Sequence, residues 1–158
     1  LSPYNAFQLI QGLETLEVRI RQHSKTALEI ARFLESRPEV AWVNYPGLDS
    51  STYHELAKAY LSKGQSGIVT FGLHGGFEAA KAFTDETEIF SLLANIGDSK
   101  SLIIHPASTT HQQLNAEQQE RSGVTQDLVR LSVGLEDTED LINDIKSALK
   151  KTAHLNAK

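Results

Sequence analysis

One arginine interrupts an apolar run late in the chain, Leu128-Val129-Arg130-Leu131-Ser132-Val133-Gly134, just ahead of an acidic cluster, Glu136-Asp137-Thr138-Glu139-Asp140. Read as a β-strand, the two-residue period puts Val129, Leu131 and Val133 on one face and Leu128, Arg130 and Ser132 on the other. The guanidinium then projects away from the hydrophobic face. It is a planar, permanently charged fork that pairs two-pronged with a carboxylate or phosphate, and a strand fixes where it points. The plainer reading, a solvated edge arginine or half of a structural ion pair, is the commoner outcome for an isolated strand arginine.

A second set of candidates lies in the polar stretch from Asn95 to His111. Asn95 directly follows an apolar run, so its amide can supply hydrogen bonds at the mouth of a sheet; an ordinary turn residue fits the same pattern. His105 and His111 share a proline-containing loop with no third ligand at zinc spacing, which disfavours a metal. Lys100, flanked by Ser99, Ser101 and Asp98, reads as solvated, whereas a Schiff-base lysine needs a desolvated amine or a neighbouring cation. Hydrolase patterns are missing. Ser132 has no identifiable base, no Gly-x-Ser-x-Gly elbow occurs, Gly75-Gly76 lacks phosphate-loop spacing, and His54-Glu55 lacks the second histidine of a zincin. Asp137, Glu139 and Asp140 read as the acidic first turn of a helix.

The elements that would position these residues follow from punctuation and period. Ser2-Pro3 opens a helix whose apolar positions Leu13, Leu16, Ile20, Ala27, Ala31 and Leu34 run up to Pro38. This is one long helix, or two sharing a bend near Gly12. At about 33 residues it would span roughly 50 Å, enough to join two bodies. Strands are expected at Val40 to Tyr45, Ile68 to Leu73, Ile89 to Ala94 and the arginine run, with helices at His54 to Leu61, Phe77 to about Phe83 and Ala116 to Arg121 capped by Asn115. Asp137 caps a last helix with Leu141, Ile142, Ile145, Ala148 and Leu149 on one face. Asn95 to His111 reads as an irregular loop containing the short apolar patch Leu102-Ile103-Ile104, and the tail after Lys151 as frayed. With no Gly-rich strand-to-helix fingerprint, the expected fold class is α+β: a two-layer sandwich, with helices on one face of a small, mainly antiparallel sheet.

Bulk properties remove whole classes of partner. The 158 residues suit a single domain, and 15 basic against 20 acidic side chains give a net charge of −5 without a basic stripe, which disfavours nucleic acid. The absence of cysteine excludes disulfides, thiolate catalysis and cysteine-based zinc sites. No apolar run approaches the ~20 residues of a membrane span, and no secretory signal layout opens the chain, so no membrane partner and a cytoplasmic location are expected. A chain that begins Leu1-Ser2-Pro3 and contains no methionine is expected to be a piece of something longer.

Particular stretches carry more than their periodicity. Leu1-Ser2-Pro3-Tyr4-Asn5-Ala6-Phe7, Gly12-Leu13-Glu14-Thr15-Leu16, Tyr45-Pro46-Gly47-Leu48, the run Ser101 to His111 (with His-Pro-Ala-Ser-Thr-Thr-His) and Asp127 through Asp140 (with Arg-Leu-Ser-Val-Gly) occur in order along nearly the whole chain. Together they resemble the Cys/Met-metabolism family of pyridoxal-phosphate enzymes. The resemblance implies the carboxy-terminal small domain of a fold-type I enzyme: residues 1–36 a long linking helix region, residues 37–158 the small α+β domain, and the N-terminal cofactor domain absent. It implies that Arg130 binds the substrate α-carboxylate. Asn95 stands where lyase relatives carry a serine, and Asn95-Ile96-Gly97-Asp98 looks more like the sulfhydrylase branch. That branch implies a transferase making homocysteine or methionine from O-acetylhomoserine and sulfide or a thiol. The implied cofactor is pyridoxal 5'-phosphate, anchored upstream and not by this chain, which alone would be inactive; the implied assembly is a homotetramer. His105, Thr110 and His111 match the family motif without an assigned role. The alternatives are a cystathionine synthase or lyase of the same family, or a free-standing carboxylate-binding module.

Overall fold

The structure is a computed structural model that describes residues 1–156. Its first two helices, α1 (Pro3–Glu14) and α2 (Leu16–Glu35), meet at Thr15, three residues beyond the bend expected near Gly12. Arg19 explains the offset. Its guanidinium reaches back to the Thr15 hydroxyl and to the Gly12 carbonyl at 3.0 Å, closing the end of α1. Ser2 caps α1 by accepting the Asn5 N–H, with Pro3 in the first turn.

The remaining elements are β1 (Val40–Asn44), α3 (His54–Tyr60), β2 (Ile68–Leu73), α4 (Gly76–Glu86), β3 (Ser91–Leu92), β4 (Leu102–Ile104), α5 (Ala116–Arg121), β5 (Leu128–Ser132) and α6 (Thr138–Lys151). The sheet order is β1-β2-β5-β4-β3, antiparallel except for the β3–β4 pair. This is the expected α+β sandwich with a mainly antiparallel sheet. Two boundaries differ from expectation. The strand expected over Ile89 to Ala94 shrinks to Ser91–Leu92, and Leu102–Ile104, expected as part of an irregular loop, is a strand beside the arginine strand. All three of its residues are buried, so the alternation that marks a half-exposed strand never develops.

The core lies between one sheet face and the helices. Val69, Phe71 and Leu73 of β2, Ile103 of β4 and Val129 and Leu131 of β5 pack against Ala27, Ile30 and Leu34 of α2, Phe83 of α4, and Leu141 and Ile145 of α6. Phe71 and Phe83 meet edge to face with ring centroids 5.6 Å apart. Asp144, on α6, receives the backbone N–H groups of Glu88 and Ile89 at 2.9 Å and of Phe90 at 3.4 Å, and so fixes the approach to β3. From Thr152 to Asn156 the tail is not frayed, and the last two residues of that expectation, 157 and 158, lie outside the described residues. Ala153–Leu155 form a 3-10 turn, and the Gly75 N–H donates to the Asn156 side-chain oxygen at 3.0 Å. Among the described residues, no helix is long and apolar enough to cross a membrane.

Candidate functional site

The helices cover one sheet face and the strand period sends Arg130 to the other. β5 is the middle strand, with Thr70 of β2 and Ile104 of β4 directly beside Arg130 in register. Hydrogen-bonded on both edges, the strand has little freedom to re-aim its side chains, which disposes of the solvated-edge reading. The ion-pair reading also lapses: among the described residues no carboxylate lies within salt-bridge distance of this guanidinium.

The guanidinium makes one hydrogen bond, from Nη2 to the backbone carbonyl of Asn95 at 3.0 Å, while its buried Nε–H has no partner. Of the five donors an arginine carries, four therefore make no hydrogen bond among the described residues. A buried N–H without an acceptor is costly unless something supplies one. A carboxylate does so with the right charge and a matching two-oxygen geometry.

Structure thus brings the two sequence candidates together, through a different atom of Asn95. Its carbonyl oxygen meets Arg130, and its side-chain amide donates to Asp98 Oδ2 at 2.7 Å, closing a turn in which Gly97 has φ +78°. None of the remaining candidates hydrogen-bonds Arg130. Lys100 is exposed. His105 is buried, with Nε2 donating to the Gln126 carbonyl at 2.9 Å and Nδ1 paired with the Ser108 hydroxyl at 2.8 Å, so neither nitrogen is free for a metal. Its ring meets Phe77 edge-on, and burial pushes its pKa below the usual histidine value. His111 pairs with its neighbour Thr110, and among the described residues no cluster is built to hold a metal ion. Asp137 accepts the N–H groups of Glu139 and Asp140, as a helix cap should.

Two residues with no signal of their own sit at the loop's far end. The Glu136 carboxylate accepts the Ser101 N–H at 2.8 Å and the Ser101 hydroxyl at 2.7 Å. They are 35 positions apart, and Glu136 reads in sequence as one more acid at a helix start.

A family model described as Cys/Met metabolism PLP-dependent enzyme matches residues 1–150. The chain belongs to this family. Among curated relatives it is 54% identical over 151 residues to an O-acetyl-L-homoserine sulfhydrylase of Leptospira meyeri, covering 95% of this chain and 34% of that one. It is 45% identical over 149 residues to a homocysteine synthase of Schizosaccharomyces pombe, covering 94% and 35%. A crystal structure from Campylobacter jejuni, described as an O-acetylhomoserine (thiol)-lyase carrying a pyridoxyl-lysine monophosphate, superposes with a TM-score of 0.88 at 50% identity, over 95% of this chain and 36% of that one. The chain therefore spans about a third of the length of the relatives it matches.

Cofactor chemistry in this family places a demand that the present residues do not meet. A lysine that holds a carbonyl cofactor as an imine must be kept neutral, by desolvation or by a nearby cation. Every lysine among the described residues is exposed. The side chains present fit a carboxylate and do not by themselves fit pyridoxal phosphate.

Proposed function

We propose that this chain is the substrate-carboxylate-binding part of a PLP-dependent transferase that makes homocysteine or methionine from O-acetylhomoserine and sulfide or a thiol. The observation that carries the proposal is the Arg130 guanidinium: fixed on the central strand, held to the Asn95 loop by one bond, with its buried Nε–H and its remaining donors unmatched. Such a group holds an amino acid by its one invariant anion and leaves the side chain free to react elsewhere. The cofactor, where bound, supplies the electron sink for carbanion chemistry. This chain's contribution is orientation, since a carboxylate seized at two oxygens can neither rotate nor drift from the reacting centre.

In this reading residues 1–36 are the linking helix region, residues 37–158 the small domain, and the cofactor's anchor belongs to the two-thirds of the relatives' length that this chain does not span. Helix α1 supports the division. None of its residues is buried, and Tyr4, Phe7, Leu9, Ile10 and Leu13 are all exposed. That is far more apolar surface than a solvated helix carries, and it suits a helix packed on another body. Assembly as a homotetramer belongs to the same proposal.

The test uses the full-length protein. Arg130→Ala is expected to raise KM for O-acetylhomoserine strongly, with the visible absorbance of the bound cofactor unchanged. An unaltered KM overturns the assignment.

A further inference from the structure

The loop that presents Asn95 leaves the sheet after Leu92 and returns at Leu102. Its outgoing leg is held by Arg130 through the Asn95 carbonyl. Its returning leg is held by the segment that follows the arginine strand. There the Gly134 N–H donates to Ser101 Oγ at 2.7 Å, the Leu135 N–H donates to the Ser99 carbonyl at 2.8 Å, and the Glu136 carboxylate takes both the N–H and the hydroxyl of Ser101. Ser101 has no exposed surface, so while the clamp is closed its N–H depends on the carboxylate for an acceptor. The approach is so close that a Cβ on Gly134 would stand 2.4 Å from Glu136 Oε2 and from Ser101 N, and 2.5 Å from the Ser99 carbonyl oxygen.

Ordinary roles for an acid at this position do not account for the contact. Helix capping is done by Asp137, which receives the N–H groups of Glu139 and Asp140. Among the described residues no cation pairs with Glu136. Its two oxygens are spent on one serine, at the point where the site loop rejoins the sheet.

We infer that Glu136 is a positioning residue for the carboxylate site: by clamping Ser101 to the exit of β5, it makes the Asn95 loop and the Arg130 strand a single rigid unit. The inference rests on the reading of Arg130 and Asn95 as that site. Glu136 touches no substrate in this scheme. Releasing the clamp lets Asn95 drift relative to Arg130, so the loss falls on substrate capture more than on cofactor retention.

In the full-length protein, Glu136→Ala is expected to raise KM for O-acetylhomoserine about tenfold, the size of one hydrogen bond to a charged group. Cofactor absorbance should be unchanged, and amide hydrogen exchange should quicken in residues 95–101 while the core helices stay protected. Glu136→Gln, which keeps an acceptor for the Ser101 N–H, should recover most of the loss. Arg130→Ala measured alongside separates two failures. If it leaves KM unaltered, the site reading falls and takes this inference with it. If it raises KM while Glu136→Ala lowers only the melting temperature, the site stands and the positioning role is overturned. Should Glu136→Ala not fold, Ser101→Ala, which removes the hydroxyl that Glu136 and the Gly134 N–H share, carries the test, and a wild-type KM there overturns the role.

Discussion

Replacing Arg130 by lysine keeps the positive charge and removes the fork, which makes it a sharper perturbation than removal to alanine. The guanidinium spends one N–H on the Asn95 carbonyl at 3.0 Å, and its buried Nε–H has no partner among the described residues; in the proposed role the rest of the fork takes the carboxylate. An ammonium group carries three donors on one atom and cannot serve that carbonyl and both oxygens of a carboxylate with good geometry. At least one charge-assisted bond is lost, worth about 1.5–3 kcal/mol, which is about 10- to 150-fold in KM. Alanine removes the charge as well, and truncating one side of a desolvated charge pair costs about 2–5 kcal/mol, roughly 30- to 5,000-fold. The expected order is therefore wild type, then lysine, then alanine. The assay is the initial rate of acetate release from O-acetylhomoserine at saturating sulfide in the full-length protein, with cofactor absorbance recorded on each variant. A lysine variant within about twofold of the wild-type KM would show that charge alone suffices and would refute the fork argument.

Three further outcomes test other parts of the fold. Asp144→Ala strips the acceptor from three backbone N–H groups, of which that of the buried Phe90 has least access to water; a loss of about 2–4 kcal/mol and a Tm lower by roughly 5–15 °C are expected by circular dichroism, and a Tm within about 2 °C of wild type would mean the segment has other anchors. Burial holds the His105 pKa below its unfolded value, so the stability it contributes is complete above about pH 6.5 and is lost as pH falls through that value toward the folded pKa; Tm against pH should fall less steeply in that acidic window for His105→Gln, and parallel profiles would count against it. A Cβ at Gly72 would lie 2.1 Å from both Trp42 Nε1 and Asp127 Oδ2, the two ends of a 2.7 Å hydrogen bond, so Gly72→Ala must open that pair. The cost is about 1–3 kcal/mol with a shift in the emission of the single tryptophan, and an unshifted spectrum would contradict the packing.

Sequence reasoning did best where a local rule decides the structure. Ser2-Pro3, Asn115 and Asp137 each cap the helix they announce, because a cap is a contact between residues two or three apart. Ile68–Leu73 obeys its Gly67 and Gly75-Gly76 punctuation. It did worst with β4, whose three residues are too few for a period and are buried on both faces of the sheet. The bend between α1 and α2 lies at Thr15 because Arg19 folds back on it, an interaction that glycine content does not encode. Asn156, past the end of α6, is held by Gly75, a partner 81 residues away.

The site divides along the same line. Arg130 is legible because alternation alone decides its face, and the residues that flank it are apolar enough to make the exception visible. Asn95 is legible as a residue type, but the atom that works is its backbone carbonyl, which any residue there would offer; the asparagine side chain earns its place by closing the turn onto Asp98. Glu136 and Ser101 are ordinary in sequence, an acid before a helix and a serine in a polar run, and become a unit only when the strand exit and the loop return meet. The groups that would touch ligand are thus set by strand geometry and can be read from period, whereas the groups that hold them in register depend on closure between distant segments. A variant library chosen from sequence alone would therefore find the arginine and miss the clamp, although loss of either would be read first in KM.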